Sequence, residues 1–368
     1  MNILKEIEDL EEKEELVDQL RCETLPLVMW GCGQIAEEVN DYLKMKGVVL
    51  NDIFVDDEYY TPNMTLDGKK IISYSELTMR YTKFNVILGN SSYEKADILE
   101  QREHVNKIFY LFSVNYGMYD KTPKSLIRDH INEFEMVYNL WEDEASRRSY
   151  IAFLKTRLSG NNQYILDVYR KGNDFFRNEI FQIGEEEVFL DIGAYDGDTL
   201  RLFRKENNGK YKKVYALEPD NSNRERLESY IRNEELQNIE ITGKGAWNQK
   251  CKLNFSTNQQ QISGILMDEN SVAGSINIEA EPLDDMFSYS EKITLLKINY
   301  LDGVKEALEG ASGILQNHQP KLVITVGFDC SNIRSIPVLI KKINSDYKLF
   351  LRFNRGMVSA LTLYGVIG

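Results

Sequence analysis

Two rhythms alternate along the chain. Short apolar runs are each followed by stretches in which apolar positions recur every three to four residues, the sequence form of consecutive β-α-β units. The alternation happens twice. The first series starts at "LPLVMW" (25–30) and enters "GCGQIAEEV", where Ile35, Val39 and then Leu43 fall one helical turn apart. It continues through "VVLNDIFV" (48–55), "NVILG" (85–89) and "KIFYLF" (107–112). These elements predict a Rossmann-like domain over residues 1–120, led by a charged, amphipathic helix in "MNILKEIEDLEEKEELVDQL". From 121 to 185 strand patterns give way to helical ones such as "FEMVYNLW" and "SRRSYIAFLKTRL", predicting a helical connector. Over 186–368 strands return in "EEVFLDIG", "KVYALE", "IEITGKGA", "CKLNFS", "ITLLKIN", "KLVITVG", "YKLFLRF" and "SALTLYGV". The fold class is α/β, with two sheet-bearing domains.

Each series has a glycine-bearing first turn, and the two turns suit different ligands. "WGCGQIA" spaces Gly31-x-Gly33-x-x-Ala36, with Asp56 closing the next strand. Such glycines let a backbone approach a pyrophosphate at a helix N-terminus, and the acid accepts from ribose hydroxyls. Two readings fit: a second nucleotide site, for NAD, or the tight strand-to-helix turn of a Rossmann-like domain that binds nothing or binds a nucleotide-sugar. The later turn reads Asp191-x-Gly193-Ala194-Tyr195-x-Gly197. Tyr195 would crowd a diphosphate, whereas a nucleoside with a cationic, phosphate-free tail is accommodated and is attracted by nearby carboxylates. Glu218, ending "VYALE", stands where an acid takes both ribose hydroxyls, and Ala246 and Trp247 of "GKGAW" are candidate walls for an adenine. This constellation describes S-adenosylmethionine.

Composition narrows the partners. With 58 acidic against 44 basic residues the formal net charge is -14, which repels nucleic acid and anionic membrane surfaces. No apolar run nears the roughly 20 residues of a membrane helix, and the first residues lack a secretory apolar segment, so a cytoplasmic protein is expected. Cys22, Cys32, Cys251 and Cys330 form no CxxC, and His104, His130 and His318 are dispersed, so no metal site is expected. The basic run Arg201, Arg204, Lys205, Lys210, Lys212 and Lys213 reads as a solvated face. The helical connector is a candidate homodimer surface, since broad apolar helix faces need a partner.

The segments "VFLDIGAYDGDTL", "VYALEPDNSN", "GAWNQKCKLNF", "EAEPLDDMF" and "LKINYLDGVKEALEGA" follow one another in an order and spacing that resembles the FkbM-type S-adenosylmethionine-dependent methyltransferases, over about residues 129–368. The resemblance implies a class I methyltransferase fold, a bacterial-type enzyme and transfer to oxygen, often a sugar or polyketide-like hydroxyl. It implies that Asp191, Gly193 and Gly197 form the cofactor loop and that Glu218 is the ribose acid. Some relatives carry a nucleotide-binding-like N-terminal domain similar to residues 24–120. The acceptor half departs from the pattern: Asn299 stands where an aspartate is usual, Leu301 where a glutamate is usual, Val304 over another acid, and Gly327-Phe328 where relatives carry Tyr-His.

A sugar hydroxyl is a weak nucleophile that benefits from a positioned base. Residues at the carboxyl ends of parallel strands face the ligand crevice, which nominates Asn299, Asp302 and Asp329. Asp302 is the first choice for the base, with Asn299 as an uncharged hydrogen-bond partner; the competing reading makes Asp302 the N-cap of the helix in "GVKEALEG". Three functions follow: an O-methyltransferase acting on a sugar or glycosylated metabolite, a non-catalytic S-adenosylmethionine- or nucleotide-sugar-binding protein with a degenerate acceptor site, and a nicotinamide-dependent enzyme centred on Gly31 and Gly33. The last lacks an evident acid partner for hydride transfer.

Overall fold

The computed structural model describes residues 7, 16–90, 98–111, 124–169, 175–256, 264–265, 275–287, 291–300, 303–327, 330–354 and 360–368. The chain divides into two compact units, one of Met1–Glu135, Arg147–Lys171 and Arg355–Ser359, the other of Met136–Ser146, Gly172–Asn354 and Ala360–Gly368.

The first unit is built on β1 (Leu27–Trp30), β2 (Asp52–Val55), β3 (Thr65–Leu66), β4 (Lys69–Ser73), β5 (Phe84–Leu88) and β6 (Val105–Phe109). They lie in the order β3-β4-β2-β1-β5-β6, parallel except for the short β3. β1, β2 and β5 are buried along their whole length. Strands covered on both faces read as unbroken apolar runs, which is the pattern the sequence shows. Side chains alternate between two cores: Met29, Ile53 and Ile87 enter one, Val28, Phe54 and Val86 the other. The run 48–55 is strand only from Asp52. Val48 and Leu50 are buried in the first core, so they are apolar because they plug it rather than because they are extended in the sheet. Of the amphipathic N-terminal stretch the helix Leu16–Cys22 is described, and its Leu16, Val17 and Leu20 enter the same core.

The stretch predicted as helical contains the helices Lys124–Asp129, Ile131–Tyr138, Glu144–Ser159 and Gln163–Leu166.

Next in the chain come β7 (Val188–Ile192), β8 (Lys213–Leu217), β9 (Ile239–Thr242), β10 (Gly245–Ala246), β11 (Cys251–Ser256), β12 (Gly264–Ile265), β13 (Ser275–Glu281), β14 (Leu295–Ile298), β15 (Lys321–Thr325), β16 (Tyr347–Phe353) and β17 (Leu361–Ile367). Seven of these form one sheet ordered β16-β17-β15-β14-β7-β8-β9. Its strands run parallel from β15 to β9, and β17 enters antiparallel between β15 and β16. This is the sheet of class I methyltransferases, as expected. "CKLNFS" is a strand but belongs elsewhere, to a separate four-stranded sheet ordered β10-β13-β11-β12. β13 is absent from the predicted runs because polar residues occupy every second position of "SINIEAE" and leave no continuous apolar run. No helix among the described residues is long and apolar enough to cross a membrane.

The helix Asp198–Glu206, which follows the Asp191 turn, is pressed onto the sheet by Phe203. Its ring lies 4.7 Å from that of Phe189 on β7 and 6.1 Å from Phe176. Phe203 is fully buried. Phe203→Ala should therefore destabilise this unit by about 3–5 kcal/mol, read as a shifted denaturant midpoint; a loss under about 1 kcal/mol, the level of an ordinary surface substitution, would contradict the packing.

Candidate functional site

Strand order reverses between β8 and β14 on either side of β7, and in open parallel sheets the ligand crevice opens at the carboxyl ends of strands at such a switch point. The chain leaves β7 after Ile192 and leans toward β8: the amides of Gly193 and Ala194 both donate to the Leu217 carbonyl at 3.0 Å. On the other side it is crossed by the residue that follows β14. A β-carbon on residue 193 would sit 2.6 Å from the Asn299 carbonyl oxygen, and Gly193 has φ +75°. Only glycine meets both conditions. Tyr195 also takes a positive φ, +50°, which is unfavourable for a bulky residue; its amide donates to Glu218, and its ring lies 5.5 Å from the Arg226 guanidinium. Gly197 is the N-cap of the helix Asp198–Glu206.

Glu218 lies just past β8 and is buried. Its Oε2 accepts the Tyr195 amide at 2.8 Å and its Oε1 the Asp220 amide at 2.9 Å. Burial pushes its carboxyl above the ordinary glutamate range, with these two amides pulling the other way. Each oxygen keeps lone-pair capacity beyond its one amide. Asp220 in turn accepts from Asn223 and caps the helix Asn221–Asn233. Arg224 on that helix donates to the Glu218 carbonyl at 3.0 Å.

Asp191 is 1% exposed, and its Oδ1 lies 2.8 Å from the ammonium of Lys297, a β14 residue that is itself 0% exposed. That contact is an ion pair without hydrogen-bond alignment, and Asp191 Oδ2 has no hydrogen-bond partner among the described residues. Burial raises the Asp191 carboxyl and Lys297 opposes the rise. Lys297 is thus both paired and buried. The one signal was a cation in the middle of the apolar "ITLLKIN".

Asp191, Gly193, Ala194, Tyr195, Gly197 and Glu218 are thus brought together. Ala246 and Trp247 lie in and just after β10, and Trp247 packs with Ile278 and Ala280 of the four-stranded sheet. Asn299 is half-buried beside Gly193, with its amide on the Ile192 carbonyl at 3.1 Å. Leu301, Asp302, Phe328 and Asp329 lie outside the described residues, whereas Gly327 is buried in the turn after β15. The helix Val304–Glu309 has Gly303 as its N-cap, at φ +93° and without a side-chain cap. The N-cap position thus falls on Gly303, one residue later than the reading of Asp302 as the cap, and Asp302 itself lies outside the described residues. Among the described residues no three His, Cys, Asp or Glu side chains gather as a metal site.

The earlier glycine turn also sits at a switch point, between β1 and β5. A β-carbon on Gly31 would fall 2.6 Å from the Gly89 carbonyl oxygen, so the approach of two backbones accounts for that glycine without a ligand. Gly33 is the N-cap of the helix Gln34–Met45. Asp56 accepts from the Trp30 indole at 3.2 Å and pairs with Arg102 at 2.7 Å, and Arg102 lies 4.0 Å from the Tyr74 ring. Its carboxylate is engaged within the domain.

Residues 191–343 match the model of the methyltransferase FkbM domain family. The fold of nearly the whole chain is similar to that of methyltransferase FkbM from Methylobacillus flagellatus KT, at a TM-score of 0.73 and 18% identity, covering 99% of this chain and 98% of that one. An rRNA methylase from Streptococcus thermophilus matches 50% of this chain and 88% of its own at a TM-score of 0.31 and 18% identity. A SAM-dependent methyltransferase from Aquifex aeolicus matches 56% and 99% at 0.31 and 12%. No curated protein matches the chain.

Gly193→Ala forces a methyl group against the Asn299 carbonyl and a residue with a β-carbon into a left-handed turn. It should cost about 1–3 kcal/mol of stability, measured by urea unfolding. Wild-type stability would show that the two backbones do not approach as described.

Proposed function

We propose that the FkbM-type domain binds S-adenosylmethionine at the carboxyl ends of β7 and β8 and methylates a hydroxyl oxygen of a sugar or glycosylated small molecule. The observation that carries the cofactor assignment is Glu218: a buried carboxylate at the switch point, held by two amides and retaining acceptor capacity on both oxygens, suits a ribose diol. Asp191 Oδ2, buried and without a hydrogen-bond donor, suits the cofactor's ammonium. The Gly193 turn offers backbone and no side chain between these two acids. The Tyr195 amide is spent on Glu218 and so is withdrawn from any cradle for a diphosphate.

When bound, the sulfonium supplies a methyl group already activated for transfer. The chain's own residues then have two tasks, to align the acceptor oxygen and to take its proton. Asn299, beside Gly193, is placed to orient the acceptor or the cofactor's polar tail without adding charge. Asp302 is the proposed base, the acid that the sequence sets just before Gly303, the N-cap of the following helix. A second reading is favoured by Asn299 itself: an amide at the end of β14, where the family usually has an acid, suits a domain that binds the cofactor and no longer turns it over.

Glu218→Ala should weaken S-adenosylhomocysteine binding by about 10- to 100-fold, the worth of hydrogen bonds to a charged group; unchanged affinity in calorimetry would remove the assignment. Because burial raises Glu218 above the ordinary glutamate value of 4.5 and Asp191 above the ordinary aspartate value of 3.8, each loses its accepting, ionised form on acidification earlier than a free carboxylate would, Glu218 above pH 4.5. Affinity should hold on the alkaline side and fall as pH drops toward that value; a flat profile would contradict it. With an acceptor panel of sugars and nucleotide-sugars, Asp302→Ala should slow release of S-adenosylhomocysteine by about 10²–10⁴-fold while leaving cofactor affinity intact. Tight cofactor binding without turnover on any acceptor would favour the binding-protein reading.

A further inference from the structure

Lys297 is out of place by every local rule. It lies in β14 between Leu296 and Ile298, pairs in register with Asp191 of β7 and Val323 of β15, and is 0% exposed. Desolvating an ammonium costs several kcal/mol even after relaxation, and an apolar side chain of similar volume at a buried ion pair is often neutral or stabilising. Packing alone would be served by methionine or leucine. The ammonium's contacts give it a different task. Its Nζ lies 2.8 Å from Asp191 Oδ1 and donates to the Gly193 carbonyl at 2.6 Å, so a single group holds the last acid of β7 and the turn that follows. Its charge also acts on Glu218, lowering that carboxyl against the effect of burial. The Gly193 carbonyl belongs to the left-handed turn, at φ +75°, that passes the Asn299 oxygen; its amide and that of Ala194 are held by the Leu217 carbonyl, and its own carbonyl by Lys297.

We propose that Lys297 is a positioning residue for the adenosyl cofactor: from the strand behind the crevice it locks the Gly193 turn and aims the Asp191 carboxylate. The inference rests on the cofactor reading above. Lys297 does not touch the reacting atoms. It is buried behind them and acts through the two groups it holds. The arrangement is reciprocal, because Asp191 is the counter-charge that makes a buried ammonium tolerable, and removing either partner alone strands the other.

The test is a comparison of four full-length proteins by calorimetry with S-adenosylhomocysteine: wild type, Lys297→Met, Asp191→Asn and the double variant Asp191→Asn/Lys297→Met. Amide exchange of the unliganded proteins is measured in parallel. Lys297→Met alone strands a buried carboxylate and is expected to melt earlier; the double variant carries no unpaired buried charge and is expected to recover stability. Relative to Asp191→Asn, the double variant should bind about ten-fold more weakly, the worth of a hydrogen bond from a charged donor. The amides of Gly193 and Ala194 should exchange faster in it, while those of β16 and β17, at the far edge of the sheet, keep their protection. A merely structural lysine would leave the turn amides and the affinity unmoved once stability is restored. The double variant matching Asp191→Asn in both measurements would overturn the inference while leaving the cofactor reading in place. Wild type giving no binding heat would overturn both.

Discussion

A close approach of two backbones governs this site. β7 and β14 run side by side with Asp191 opposite Lys297; one residue past their ends the chains must separate, one toward β8 and the other toward the following helix. Gly193 makes the separation possible by presenting no side chain to the Asn299 carbonyl. From that crossing follow the hydrogen bonds of Gly193 and Ala194 to Leu217, the placing of the Tyr195 amide on Glu218, and the start of the helix Asp198–Glu206 at Gly197. The acids that recognise a cofactor in the proposed reading are therefore positioned by main-chain geometry more than by their own rotamers.

The same principle gives a different result in the first unit. There, too, a glycine turn leaves the central strand of a parallel sheet and packs its backbone against another, Gly31 against Gly89. The acid at the end of the next strand is held differently, however: Asp56 accepts from the Trp30 indole and is ion-paired with the Arg102 guanidinium. Two turns of similar spelling thus differ in what holds their acids: a guanidinium counter-charge at Asp56, main-chain amides at Glu218. At Glu218 the partners are amides, one per oxygen; at Asp56 they are the Trp30 and Arg102 side chains, also one per oxygen.

Much of this was legible in the sequence, for identifiable reasons. Strands buried on both faces, such as "VFLDI" and "FNVIL", must be apolar throughout, and the glycines that follow them must sit at turns. Asp191, Gly193 and Glu218 could thus be placed together without a structure. Polar alternation concealed β13. Val48 and Leu50 extended the predicted second strand, since burial in a core and extension in a sheet leave the same apolar signal. The Lys297-Asp191 pair joins residues over a hundred positions apart, and only strand order, which local pattern does not encode, makes them neighbours. Gly303 as the helix cap was hidden behind Asp302, the residue type that local preference favours.

A crystal structure of the full chain grown with S-adenosylhomocysteine tests the central claim most directly. The account predicts ribose hydroxyls on the Glu218 carboxylate, the Gly193 turn unchanged in its left-handed conformation, and Lys297 still donating to its carbonyl. Ligand density in the Gly31 crevice alone, or a ribose that leaves Glu218 with only its two amide partners, would contradict it.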